Sequence, residues 1–154
     1  MMNLEPAPIL QRPDMTAALT RGVTRLFLDL GFAPLVEFKL PNGRRGDVVG
    51  LCPKGRIVMA EIKSCQADFD ADAKWTDYLD FCDAFYFAVA DGFPRERLPV
   101  EEGLIIADGY HGAVIRDAAE RPLAAARRKA LILRFARQAA ARAAGAAPTD
   151  IDLV

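Results

Sequence analysis

Asp47, Glu61 and Lys63 are the residues whose types and spacing in this chain suit chemistry. Glu61-Ile62-Lys63 closes the apolar run Ile57-Val58-Met59-Ala60. Such a run belongs inside a sheet, where successive side chains take opposite faces. Glu61 and Lys63 then share one face, and Ile62 points away into the core. A carboxylate and an amine at the end of a buried run are costly unless they are paired, metal-bound or at a cleft. Asp47, on the strand before the Pro53-Lys54-Gly55 turn, can bring a second carboxylate to the same place. Mg²⁺, or Mn²⁺ in its stead, takes oxygen ligands, commonly one or two carboxylates completed by waters and phosphate. Asp47, Glu61 and the main-chain carbonyl of Ile62 would supply those oxygens. A cation there polarises a phosphate and acidifies a water, and Lys63 would steady the hydroxide and the developing charge. The chemistry such a set suits is phosphodiester hydrolysis. The competing reading is a surface Glu–Lys pair at a strand end, with Asp47 as a turn residue.

Other residues would assist. Gln66 can orient water or substrate beside the metal, while Asp68 nearby suits the start of a helix. Lys74 and Tyr78 follow on that helix, placed to meet phosphate, and Arg44 and Arg45 join them as DNA-contact candidates. Trp75 reads as core. Glu37 either adds a carboxylate or pairs with Lys39 or Arg45. Arg127, Arg128, Lys129, Arg134, Arg137 and Arg142 either track a nucleic-acid backbone or form a solvated helix face, and no aromatic interleaves them. His111, the single histidine, reads as a surface residue.

The elements that must position these groups follow from periodicity and turn chemistry. Residues 1–13 contain three prolines and read as an irregular arm. Asp14 then caps a helix from about Met15 to Leu30, with Leu19, Val23, Leu26, Phe27 and Leu30 as its apolar stripe and Gly31 at C′. Three antiparallel strands are expected at about 34–40, 47–51 and 56–62, with Val36, Phe38 and Leu40 sharing the apolar face of the first. A helical pattern spans Gln66–Asp83. Ala84–Ala90 reads as a buried strand, parallel to the third through a right-handed crossover. Gly103–Asp108 and Ala113–Asp117 form a hairpin, and Pro122 opens a last helix running to about Ala144. One domain, residues 14–144, is expected, with a loose tail at 145–154.

The 154-residue length and 52% hydrophobic content suit one core. The net charge of −1 announces no polyanion partner, although 116–142 is basic and 61–102 acidic. Cys52, Cys65 and Cys82 have no metal-ligand spacing and read as reduced thiols. With no signal-peptide pattern and no membrane-length apolar run, the expectation is a soluble, cytoplasmic protein without a membrane partner. A two-fold homodimer is the default oligomer.

Gly46-Asp47 with Glu61-Ile62-Lys63 resembles the PD-(D/E)xK nuclease superfamily, with Gly where the motif carries its first Pro. GDVVGL, IVMAEIKSCQADFDADAKWTDYLDFCDAFYFAVADGFP, GLIIADGY and RPLAAARRKALILRFARQAAAR look like the MmcB-like DNA-repair proteins, a resemblance running from about Thr16 to Arg142. It implies an α/β restriction-endonuclease-like mixed sheet, an α-β-β-β-α-β core followed by a C-terminal hairpin and helix. It also implies a DNA substrate, a repair role and repair-protein partners. Many superfamily members use an acid from the first helix, and here only Asp29 is offered. A catalytically silent DNA-binding or adaptor module on the same fold stands as the alternative function.

Overall fold

Pro41-Asn42-Gly43 and Pro53-Lys54-Gly55 interrupt three apolar runs, and the chain between them folds as a meander. In the computed structural model, which describes residues 12–65 and 74–146, its strands are β1 (Ala33–Lys39), β2 (Arg45–Leu51) and β3 (Ile57–Ile62), each antiparallel to the next. Gly43 and Gly55 both take φ of +83°, which the turns require and other residues rarely adopt. β4 (Ala84–Val89) lies parallel to β3, β5 (Gly103–Ala107) parallel to β4, and β6 (Gly112–Arg116) antiparallel to β5. The six strands stand in chain order across one mixed sheet.

One helix covers each face. α1 (Arg12–Asp29) packs Leu19, Val23, Leu26 and Phe27 on a floor of mostly small residues, including Ala60, Ala84, Ala88 and Ala107. α2 (Ala125–Ala143) sets Leu131 and Phe135 over the other face, where Phe38, Met59, Phe85 and Phe87 fill the space. β4 alternates accordingly, with Ala84 and Ala88 toward α1 and Phe85 and Phe87 toward α2. Both helices end with glycine in the left-handed region. At Gly31 (φ +88°) the Phe32 N–H reaches Phe27 O at 2.9 Å and the Gly31 N–H reaches Leu28 O at 3.0 Å, and the Phe27 and Phe32 rings meet at 5.9 Å.

This is the restriction-endonuclease-like arrangement expected, with local corrections. α1 starts at Arg12, so Asp14 lies in its first turn near the positive end of the dipole instead of capping it. Leu30 lies past the helix and is 53% exposed. In β1 the side-chain alternation inverts at Glu37, whose φ is +53°. Leu35 therefore joins Phe38 and Leu40 in the core, and Val36 faces out. Pro122 does not begin the last helix: Ala124 is still extended, and helix starts at Ala125. In the crossover, Trp75–Phe81 is a 3₁₀ helix, and the preceding residues 66–73 lie outside the described ones. The tighter winding nearly eclipses positions three apart, and Trp75 and Tyr78 both stack on Phe85, at 5.9 and 6.1 Å.

Much of the basic charge on α2 is spent inside the molecule. Arg128 makes two 2.6 Å bonds to Asp83, which also accepts from the backbone N–H groups of Ile57 and Leu123. Gln138, 2% exposed, accepts from Lys39 N at 3.0 Å and donates to Lys39 O at 2.7 Å. Arg142 donates to the carbonyls of Val36 and Glu37. These side chains satisfy backbone groups of the outermost strand β1 as a further strand would, which closes that edge to other chains.

Candidate active site

The register Val48↔Ala60 sets Asp47 opposite Glu61, and the pleat turns both toward the α2 face. Asp47 Oδ2 accepts the Ile62 N–H at 2.8 Å, bridging the C-terminal end of β3. The two carboxyls lie within hydrogen-bonding reach of each other, and the Lys63 ammonium acts on Asp47 through its charge. Glu61 and Lys63 are 7% and 5% exposed, far less than such side chains tolerate without a task or a partner. The Lys63 backbone N–H is fixed by Ala88 O at 3.0 Å, so the β3–β4 ladder runs past the site and holds the residue in line.

Burial pushes the Asp47 carboxyl above its usual range, against the opposing pull of the Ile62 N–H, Glu61, Lys63 and Arg45. A second acid facing Asp47 in so dry a place makes its negative charge costly to hold. Tyr78 completes the wall. Its hydroxyl is pushed up to about 12, first by burial and then by the charges of Glu61 and Asp47. That hydroxyl donates to Arg45 O at 3.3 Å, so a phosphate would have to displace this bond. The Arg44 guanidinium lies 5.9 Å from the Tyr78 ring centroid and is held by Asp77 at 3.0 Å.

Two carboxyl groups and nearby main-chain carbonyls form an all-oxygen donor set of the kind a hard divalent cation takes, with the rest of its coordination left to water and phosphate. A cation there would offset the charge that burial disfavours on Asp47. Among the described residues no group of three His, Cys, Asp or Glu gathers in metal-binding fashion, so Asp47 and Glu61 are the carboxylates that the described part of the site offers.

The remaining candidates are dispersed. Glu37 is exposed and lies 3.9 Å from Arg45, which is its pairing alternative. Asp29 ends α1, on the opposite face of the sheet, and meets His111 at 2.8 Å. Gln66 and Asp68 lie outside the described residues. Lys74 is exposed at the start of the 3₁₀ helix, and Trp75 packs against Phe85 and Phe87 as core. Sequence reasoning gave no weight to Phe81. With Pro41 and Leu131 it lines an open cleft between the β1–β2 hairpin and α2. No spacing rule links position 81 to position 131, so that signal exists only in the fold.

The model of a family described as DNA repair protein MmcB-like matches residues 4–149. A solved structure of a protein of unknown function from Silicibacter pomeroyi is 49% identical, with a TM-score of 0.80, over 88% of this chain and 90% of that one. No curated protein matches the chain significantly. Among the described residues no helix is long and apolar enough to cross a membrane.

Proposed function

The chain belongs to the MmcB-like DNA repair protein family, and on that premise we propose that it hydrolyses phosphodiester bonds of DNA with a divalent cation held by Asp47 and Glu61. The observation that carries this reading is the half-buried Asp47 carboxyl facing the buried Glu61 at the C-terminal end of β3, with the buried Lys63 close by. Ligands of open α/β sheets bind outside the carboxyl ends of the strands. When bound, Mg²⁺ or Mn²⁺ supplies charge to a phosphoryl oxygen and acidity to a water.

The protein's own residues do the rest. Asp47 and Glu61 present their oxygens from two strands locked in register, and the Ile62 carbonyl adds a third. Holding the Ile62 N–H keeps Asp47 aimed at the site. Lys63, buried and rigidly carried, places an ammonium where negative charge grows during attack. Gln66 orients the attacking water. Arg44, Arg45 and Lys74 meet DNA phosphates, while Tyr78 supports Arg44 from beneath and fixes the Arg45 carbonyl. An acid on one strand and Glu-x-Lys on the next support reading the protein as a PD-(D/E)xK nuclease.

The test is cleavage of single-stranded, branched and damaged DNA by purified protein with Mg²⁺ or Mn²⁺. Wild type should cut at least one of these. Asp47→Asn and Lys63→Met should each lose on the order of 10²-fold or more in rate, as removal of one stabilising group does elsewhere. Salt-sensitive binding with no turnover of any substrate would overturn the enzyme and leave the binding or adaptor module.

A further inference from the structure

On the α2 face a cleft of about 990 Å³ opens between the β1–β2 hairpin, the end of the 3₁₀ helix and α2. Pro41 and Asn42 form one wall, Phe81 another, and Leu131 the floor. Arg127 and Arg134 stand at its margins. The two arginines are seven positions apart, two helical turns or about 10 Å along the axis, with Ala130 and Leu131 between them.

These two arginines, like Arg116 and Arg142, bond main-chain carbonyls. Arg128, Arg121, Arg56, Arg44 and Arg95 each pair with a carboxylate. Arg127 bonds the carbonyl of Asp80 at 3.2 Å and lies 5.6 Å from the Phe81 ring centroid. Arg134 bonds the carbonyl of Lys39 at 3.3 Å. Among the described residues neither is neutralised by an acid. The cleft thus offers two positive charges, an apolar floor and an aromatic side chain. The aromatic that α2 lacks in sequence is delivered to it by another element.

We infer that this cleft seats unstacked nucleotides of single-stranded DNA, with bases against Phe81 and Leu131 and flanking phosphates on Arg127 and Arg134. A duplex offers its phosphates but keeps its bases stacked, so it would use the arginines and leave the apolar floor empty. The inference rests on the reading above that the protein works on DNA. It adds that the strand is open where it crosses α2. The cleft connects to the candidate active site along one wall: Asn42 and Arg44 both reach Asp77, and Arg44 covers Tyr78.

The experiment is fluorescence anisotropy of the full chain with labelled oligo(dT) and with a duplex of equal length, across a salt series and without divalent metal. Wild type should prefer oligo(dT). Arg127→Gln with Arg134→Gln should weaken oligo(dT) binding on the order of 10-fold and reduce the salt slope by about 1.4, the value for two phosphate contacts to a single strand. Photocrosslinking of 4-thiothymidine oligo(dT) to wild-type protein, which needs no variant to fold, should label Phe81 or the segment 124–134. A double variant that binds like wild type, a wild type that prefers duplex, or crosslinks confined to other segments would overturn the cleft while leaving a DNA-binding protein. A wild type with no affinity for either DNA at low salt would remove the DNA reading and this inference with it.

Discussion

At the N-terminal ends of β4 and β5, Asp83 and Glu102 are buried to 3% and 2% exposure, and each is met by an arginine. Asp83 collects four donors, two from Arg128 and one each from the Ile57 and Leu123 backbones. Glu102 takes both arms of Arg121 at 2.8 and 3.1 Å. At the C-terminal end of β3, Asp47 and Glu61 are also withdrawn from water, but Asp47 is met by one backbone N–H and by a second acid. Burial alone would raise Asp83 as it raises Asp47. Arg128 and the two backbone donors outweigh it, and Asp83 falls below the usual carboxylate range. Opposite ends of one sheet therefore treat the same cost in opposite ways. One end neutralises its acids and straps segment 117–124 to the strands. The other holds Asp47 above its usual range in spite of the Ile62 N–H, Lys63 and Arg45, a state that a bound cation would relieve.

The harshest way to break this comparison is to remove Arg128. Arg128→Ala leaves Asp83 charged and buried with its strongest partner gone, which costs about 3–5 kcal/mol. The melting temperature should fall on the order of 10 °C in calorimetry. A loss of less than about 1 kcal/mol would mean that Asp83 is not the anchor its four donors imply. Gln138→Leu should come next. It strands the outward Lys39 N–H at the β1 edge and leaves the Lys39 C=O to Arg134, at about 1–3 kcal/mol, and urea unfolding should record it without a change in m-value.

How far these two ends were legible in the sequence differs for physical reasons. Asp47, Glu61 and Lys63 could be picked out because a charge at the end of an apolar strand violates the period-two pattern, and a violation is visible in a string. The meander, the parallel crossover and the last hairpin were legible for the same reason, because turn residues punctuate them. Asp83 and Arg128 stand forty-five positions apart with ordinary neighbours, and only the fold brings them together. The α2 arginines illustrate the ambiguity: identical letters serve as an ion-pair partner at 128, a strand clasp at 142 and an unneutralised charge at 127 and 134. Parity in β1 was misread because nothing in the letters Val36-Glu37-Phe38 announces a left-handed backbone at Glu37.

Asp47→Asn sharpens the comparison by changing sign. The amide still accepts the Ile62 N–H and removes a charge that burial disfavours. Without metal the variant should be more stable than wild type by about 0.5–2 kcal/mol, the range of stabilising replacements at functional positions. Added Mg²⁺ should raise the melting temperature of wild type and leave that of the variant unchanged. Destabilisation by Asp47→Asn would place Asp47 with Asp83 as a structural acid.

The smallest effect expected is in the pH dependence of metal-free stability, and it carries both signs. Asp83 is depressed, so the folded state releases its proton before the unfolded chain does. Its contribution is present above the unfolded value of about 4 and is lost as pH falls through the folded value. Asp47 is raised, so its favourable contribution is full below about 4 and declines as pH climbs through the folded value. Wild type should show stability falling away on both sides of the ordinary carboxylate range. Asp47→Asn should lose the decline on the alkaline side and keep the acid one, because depressed carboxylates act there, Asp83 with its arginine and the exposed Asp108 with two backbone donors. Mg²⁺ should reverse the alkaline slope in wild type, since a cation and a proton compete for the same carboxylate oxygens. A decline toward neutral pH that persists unchanged in Asp47→Asn would show that some other group sets it, and the contrast between the two ends of the sheet would then rest on Asp83 alone.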